Sequence, residues 1–454
     1  TKDKNQNKST KSTTTSSSSK NSRNTRPNKK LTNSSRKSFP SLDNADAYIS
    51  EITNYLENKE FQNAAELFDK SLLEYDANAK LYFIGAHISI KLDDLDQANK
   101  YFVKAIKLDT KNEEYRDAQK KLAELKDALT KSRKTFDSGL IDDSIIEYEK
   151  LAKKYPEYAI VFYNLGLIYK VSEEYDLAVE NYHNAQALNP FEEKYSLAVK
   201  VIAQISAKEG DEEYRRQEFD SAIENYKKAT SYYPEYTTAI FKLARTYFKL
   251  KDFDNARIYL EKGLLVDPEQ EQSEKMLGDI YRGTGESEKA IEHYNLAISI
   301  NGNYHQAYYS LGTTLLLNGD LENAQIALKS AIQLDSNYAK AYGALGTVEQ
   351  ELGEIDSAIN NFIQSTNLDG KSYKIHYRLA SVYNIQKQHE NAKKSAKECL
   401  NIKRNYAPAY FELGISEKAL GNKIAATDAF EKAKKDKNWR KSAQFELDML
   451  SKGF

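Results

Sequence analysis

The sequence predicts an all-α solenoid of stacked antiparallel helix pairs. Three observations predict it. From Ala203 onward the chain repeats every 34 residues without a slip. Within each unit, small residues recur at positions 8 and 20 and a large residue at position 24. Four of the seven prolines (Pro156, Pro190, Pro234 and Pro268) fall at position 32, where proline stops a second helix between units.

Units start at 203, 237, 271, 305, 339, 373 and 407, and the same pattern extends back to 159, 125, 79 and 45. Position 20 is alanine in ten of the eleven, from Ala64 to Ala426, so the position tolerates almost no volume. Position 24 is mostly aromatic, as in Phe68, Tyr182, Tyr226, Tyr294 and Phe430. Position 27 is small in ten units, so 20, 24 and 27 share one helical face. Position 8 is Gly, Ala or Ser in ten units, including Gly166, Gly278 and Gly312. The reading is two helices crossing closely at 8 and 20, with residue 24 filling the gap against the neighbouring unit. One such unit cannot bury its apolar face, so stacking is compulsory.

Two insertions, 113–124 and 193–202, interrupt the period. They divide the array into 45–112, 125–192 and 203–440. From Glu113 to Ser138 no helix breaker occurs, and Tyr115, Ala118, Leu122, Leu125, Leu129 and Phe136 follow a 3–4 spacing. A helix there is about 39 Å long at 1.5 Å per residue. It either lengthens a packed first helix or projects toward a partner. The insertion at 193–202 lengthens the helix leading into Ala203. Lys441 to Phe454 reads as a capping helix with Ala443, Leu447 and Leu450 on one stripe.

Charge is unevenly distributed. The net charge is −1, but residues 1–40 hold eleven basic side chains and one acid. The remaining residues hold 55 basic and 66 acidic, a net of −11. The first forty residues are rich in Ser, Thr and Asn, with Leu31 and Phe39 as the only large apolar groups. Such a segment cannot offset its ordering entropy, so a disordered basic tail is expected at 1–40. It is either a solvated linker or an arm for a membrane or another anionic polymer. No aromatic residues interleave the charges, which argues against nucleic acid. The chain begins at Thr1; a polar stretch behind a removed leader fits an exported protein of a bacterial cell envelope better than a cytoplasmic one.

No catalytic pattern is found. The six histidines form neither H-E-x-x-H nor H-x3-H, and there is no P-loop or G-x-S-x-G elbow. The one cysteine, Cys399, excludes an intramolecular disulfide and occupies small-residue position 27, so it reads as inert core. No cofactor and no metal are expected. The longest uncharged stretch, Tyr294 to Gly319, is too polar to span a membrane.

The unit resembles the tetratricopeptide repeat. Leu165-Gly166, Tyr169, Ala178, Tyr182 and Pro190 match its pattern, and Leu277-Gly278, Tyr281, Ala290 and Tyr294 match all but the proline. The family's tryptophan near the unit start is replaced by Tyr82, Phe162, Tyr308, Tyr342 and Tyr410. The resemblance covers residues 45–440 and implies a right-handed superhelix with a concave groove lined by first helices. It implies that positions 2, 5, 6, 9, 12 and 13 face that groove.

The resemblance makes the chain a non-enzymatic scaffold that binds protein or peptide segments. The alternative is an envelope-associated protein tethered through its basic tail. Position 5 is aromatic in Phe83, Tyr163, Phe241, Tyr309, Tyr377 and Phe411, either as a ladder along the groove or as packing on the next unit. Some relatives clamp a chaperone's terminal carboxylate; the best set here, Lys275, Asp279, Ser310, Lys340 and Ala344, matches two of five groups and is rejected. A looser basic cluster remains at Lys340, Lys374 and Arg378. With Tyr309, Tyr377, Phe241 and Phe411 it forms the candidate peptide site, suited to an acidic segment with apolar anchors.

Overall fold

The computed structural model describes residues 44–452. The tail expected at 1–40 and the last two residues of the expected capping helix lie outside them. The described residues contain twenty-three helices, α1–α23, and no strand. They form two compact units: 44–89 with 96–119, and 90–95 with 120–452.

Odd-numbered helices are the first helices of the repeats. They are α1 (Ala45–Glu57), α3 (Ala79–Lys91), α5 (Glu113–Asp137), α7 (Ala159–Val171), α9 (Glu193–Arg216) and α11 (Thr237–Lys249). The series continues with α13 (Glu271–Thr284), α15 (His305–Leu317), α17 (Ala339–Leu352), α19 (Tyr373–Ile385) and α21 (Ala407–Ala419). Nine of them start on the expected residue. The other two, α5 and α9, absorb the insertions at their N-terminal ends. Each is followed by a second helix, such as α8 (Tyr175–Leu188), α16 (Leu321–Leu334) and α22 (Lys423–Ala433). A final helix, α23 (Arg440–Ser451), buries Ala443 and Leu450 against Phe430.

In the smaller unit Phe61, Phe68 and Phe102 are buried. Phe68 meets Tyr101 edge-on at 5.2 Å, and Phe83 stacks on Tyr115 at 4.6 Å. Gln119 donates to Asn99 at 3.0 Å.

In the larger unit the helix crossing has a specific cause. A Cβ on Gly312 would lie 2.7 Å from Leu328 Cγ and 3.2 Å from the Ala324 carbonyl oxygen. Gly166 stands in the same relation to Tyr182, Gly210 to Tyr226 and Gly346 to Phe362. The residue at position 24 therefore lies over the position 8 glycine of its own unit. It also packs toward the neighbouring unit, as expected: Leu328 clusters with Leu345 and Val348 of α17, and Phe362 with Leu379 and Val382 of α19. Removing the glycine side chain lets the large ring drop onto the backbone, which excludes water from the crossing.

The turn within each unit has one conformation. Position 15 has positive φ in all eleven units: glycine in five, and Lys59, Asp93, Glu173, Gln217, Lys251 and Lys387 in the others. The next residue's N–H returns to the carbonyl at position 11, as in Glu286 to Tyr281 at 2.8 Å and Asp252 to Tyr247 at 3.0 Å. This is the Schellman closure of a helix C-terminus.

Within the larger unit, consecutive first helices touch directly from α13 through α21, whereas consecutive second helices do not approach as closely. The first-helix face is thus the tighter side of the stack.

Two stability predictions follow from this packing. Ala324 is fully buried at the crossing, so Ala324→Leu overpacks it and costs about 1–3 kcal/mol. Hydrogen exchange should show the loss centred on 305–338, because each unit is supported only by its neighbours. A uniform loss across the larger unit would contradict that. Lys251 is exposed in the left-handed region, so Lys251→Gly should stabilise its turn by about 0.5–1 kcal/mol, read as slower exchange at the ends of α11.

Candidate functional site

The first-helix face of the larger unit carries the groups that the sequence assigns to recognition. Lys340 and Lys374 are exposed there, one unit apart on α17 and α19. Arg378 is half-buried and donates to Gln350 Oε1 at 3.3 Å, which ties α19 to α17.

The aromatic residues behave differently from the cations. Tyr309 packs on Tyr338 at 5.1 Å and Tyr377 on Tyr406 at 5.6 Å. Phe411 packs on Phe430 and on Trp439 at 4.9 Å. The partners Tyr338 and Tyr406 precede the next first helix, so these rings cement one unit to the next. Phe241 is half-buried over Gly263, which has no side chain to oppose it. Among the described residues these position 5 rings do not touch one another. Each keeps one part of its ring at the surface and buries the rest.

Between consecutive first helices runs a series of polar links. Lys242 of α11 reaches Asp211 of α9 at 2.6 Å. Arg282 of α13 donates to Thr313 of α15 at 3.3 Å. Asn384 of α19 donates to Glu412 of α21 at 2.9 Å, and Lys418 of α21 pairs with Glu446 of α23 at 2.9 Å. Two aspartates at position 9 also anchor the second helices. Tyr226 donates its hydroxyl to Asp211, and Tyr294 to Asp279, each at 2.8 Å. Asp279 is held in addition by Lys275 at 2.6 Å and Arg282 at 3.5 Å. Burial, reinforced by these carboxylates, pushes both phenols well above the ordinary tyrosine value.

One opening of this face lies on α11 and α13. A cavity of about 240 Å³ is bordered by Phe241, Lys242, Arg245, Leu260 and Met276, with Thr238 and Gln272 at its edge. Arg245 is exposed and lies over the Tyr214 ring at 5.2 Å. Cation and apolar floor therefore sit side by side. Sequence reasoning placed Phe241 here but missed Arg245, Lys242 and Met276. The signal was available: they stand at positions 9, 6 and 6 of successive units.

Groups capable of chemistry are occupied elsewhere. Cys399 is fully buried, and burial pushes its thiol up to about 11. His293 bonds Glu274 at 2.7 Å and stacks on Tyr281, while His376 bonds the Gly370 carbonyl at 3.0 Å. Among the described residues no three His, Cys, Asp or Glu side chains are placed to hold a metal. Among the described residues no helix is long and apolar enough to cross a membrane.

Family models decide what this array is. The tetratricopeptide repeat model matches residues 79–112, 305–338 and 373–406, a second of the same description matches 213–280, and a TPR repeat model matches 278–319. The chain belongs to the tetratricopeptide repeat family. Among curated relatives, it is 27% identical over 165 residues to bovine BBSome complex member BBS4, covering 36% of this chain and 30% of that one. It is 25% identical over 142 residues to anaphase-promoting complex subunit 3 of Schizosaccharomyces pombe, covering 31% and 20%. The matched stretches span less than a third of either relative. Among solved structures, Pseudomonas aeruginosa PilF is 18% identical, with 46% of this chain and 97% of that chain covered and a TM-score of 0.43.

One buried link in this tetratricopeptide array gives a pH prediction. Glu412 is buried, and burial holds its carboxyl above the ordinary glutamate value of 4.5, with the Asn384 and Ser381 hydrogen bonds only partly offsetting that. An acid raised in the folded state contributes stability below its unfolded pKa. That contribution is lost as pH rises through the folded value. Wild type should therefore lose stability relative to Glu412→Gln as pH climbs from 4.5 toward neutrality, measured by parallel thermal melts. A constant difference across that window would show Glu412 ionising as if exposed.

Proposed function

We propose that this protein is a non-enzymatic scaffold whose first-helix face binds extended, acidic peptide segments carrying apolar anchors. The observation that carries the reading is the juxtaposition on α11 and α13: an exposed Arg245 borders a cavity floored by Phe241, Leu260 and Met276. Charge complementarity supports the choice of an acidic ligand. Lys340, Lys374 and Arg378 continue the cationic series on α17 and α19. Two relatives, BBS4 and anaphase-promoting complex subunit 3, are by their names members of multiprotein complexes, which accords with a role in assembly.

In this mechanism the cations steer the partner and fix its register, and the apolar floor holds it. Charge acts chiefly on association rate and salt dependence. Buried apolar contact acts chiefly on dissociation. The links between first helices preorganise the face, so little ordering cost falls on the protein when a ligand binds.

The test uses the full chain and a fluorescein-labelled Glu-rich peptide carrying two leucines, with its Gln-rich counterpart as control. Arg245→Glu should weaken the Glu-rich peptide about tenfold at low salt, the loss shrinking as salt rises. Lys374→Glu with Arg378→Glu should act in the same direction. Met276→Ala should weaken binding at every salt concentration. Equal affinity of wild type for the Glu-rich and Gln-rich peptides would overturn the acidic-ligand reading.

A further inference from the structure

The position 24 tyrosines of the larger unit supply an internal comparison. There are four: Tyr148, Tyr182, Tyr226 and Tyr294. All four are buried. Tyr148 is hydrogen-bonded to Asn164. Tyr226 and Tyr294 donate to Asp211 and Asp279, each at 2.8 Å. Each of those aspartates also meets a cation, Lys242 at 2.6 Å and Lys275 at 2.6 Å. The arrangement is a hydroxyl and an ammonium converging on one carboxylate at position 9.

In the unit starting at Ala159, position 9 is Leu167. The Tyr182 hydroxyl there is buried and has no hydrogen-bond partner. Leaving a buried hydroxyl unpaired is costly, and so it stands out against its three equivalents. Tyr182 borders a cavity of about 300 Å³ between α7 and α9. Leu167, Leu197, Ala198 and Val201 form its apolar wall, and Lys170 and Lys194 stand on its border. The Lys194 ammonium is already held by Asp93 at 3.1 Å, whereas Lys170 makes no ion pair within 4 Å among the described residues. Hydroxyl and cation are present, and the carboxylate is missing.

We infer that this cavity takes a glutamate or aspartate side chain of a partner peptide. The ligand carboxylate occupies the place that Asp211 and Asp279 hold in the units starting at 203 and 271. It accepts from the Tyr182 hydroxyl and pairs with Lys170, and an adjoining apolar residue lies against Leu167, Leu197 and Val201. Lys170 draws the acid in, and Tyr182 selects a hydrogen-bond acceptor once Leu167 has rotated aside. The inference rests on the acidic-peptide reading above and specifies a second subsite for it, on α7 and α9 rather than α11 and α13.

The experiment uses the full chain and a C-terminally amidated, fluorescein-labelled peptide with one Glu between two leucines. Its Gln twin and a Gln twin with a free terminal carboxylate are the comparisons. Wild type should prefer the Glu peptide about tenfold over its amidated Gln twin; Lys170→Gln should abolish that preference, and Tyr182→Phe should shrink it, because a carboxylate accepts from the hydroxyl more strongly than an amide carbonyl does. Tyr182→Phe removes an unpaired hydroxyl, so its melting temperature should equal or exceed that of wild type. Leu167→Asp supplies the carboxylate from within, so it should raise the melting temperature and also abolish the preference. A preference undiminished by both Lys170→Gln and Tyr182→Phe, while Arg245→Glu still weakens the Glu-rich peptide, overturns this subsite and leaves the wider reading standing. Loss of binding of both the single-Glu and the Glu-rich peptides to wild type overturns both. Tighter binding of the free-terminus peptide would show a main-chain carboxylate as the true occupant and overturn the assignment.

Discussion

Everything in the larger unit depends on how closely two helices cross within one repeat. A glycine at position 8 and an alanine at position 20 remove the side chains that would hold the backbones apart, and a ring at position 24 closes over the gap. The ring is then fixed in direction. Its outer end reaches the first-helix face, where Tyr226 and Tyr294 meet Asp211 and Asp279. A packing requirement deep in the repeat thus decides which polar groups stand on the first-helix face. Replacing the ring or the glycine would alter the face as well as the core.

On the proposed reading, the same face has two tasks that compete for side chains. Its cations and carboxylates link consecutive first helices, as in Lys242 to Asp211 and Arg282 to Thr313. A ligand of either charge must bind groups that already have partners, or find those that do not. Exposed ion pairs contribute little to stability, so exchanging one for a ligand contact is nearly neutral, whereas buried links such as Asn384 to Glu412 are costly to break. On the proposed reading, side chains open to a ligand alternate with side chains that would have to leave a partner to meet one. Arg245, Lys340 and Lys374 are exposed, while Arg378 and Glu412 are committed to their neighbours.

Much of the fold was legible because its signal is repeated. Nine first helices begin on the residue that the 34-residue period marks, and the two that do not are those carrying insertions. The turn at position 15 was not legible, since six of its eleven residues are not glycine and nothing local marks Lys251 or Glu173 as left-handed. The second packing partner of position 24, the glycine of its own unit, was not legible for a related reason. Periodicity shows that a face is buried but not whether it meets its own unit or the next. For the candidate site, the sequence located Phe241, Tyr309 and Tyr377 on the right helices. It left open how much of each ring is surface, because the tyrosines that cover them, Tyr338 and Tyr406, sit at the unit boundary. The Tyr-Asp pairs lie fifteen residues apart and carry no known pattern, so only the coordinates reveal them.

A repeat array supplies its own controls, and this changes what an exception means. In a protein with a single tyrosine at such a crossing, one unpaired hydroxyl would be an isolated defect. Here Tyr148, Tyr226 and Tyr294 show what the same backbone does when the position is satisfied, and Tyr182 differs from the last two by one residue at position 9. Where the units starting at 203 and 271 have a carboxylate, this one has Leu167, which forms part of the apolar wall of the adjoining cavity. Substitutions that lower stability while leaving the helix positions unchanged concentrate at surfaces used for binding, because only there can a partner return what the fold gives up. In the unit starting at Ala159 a donor, a cation and an apolar wall stand together, which is the ground on which the proposed subsite rests.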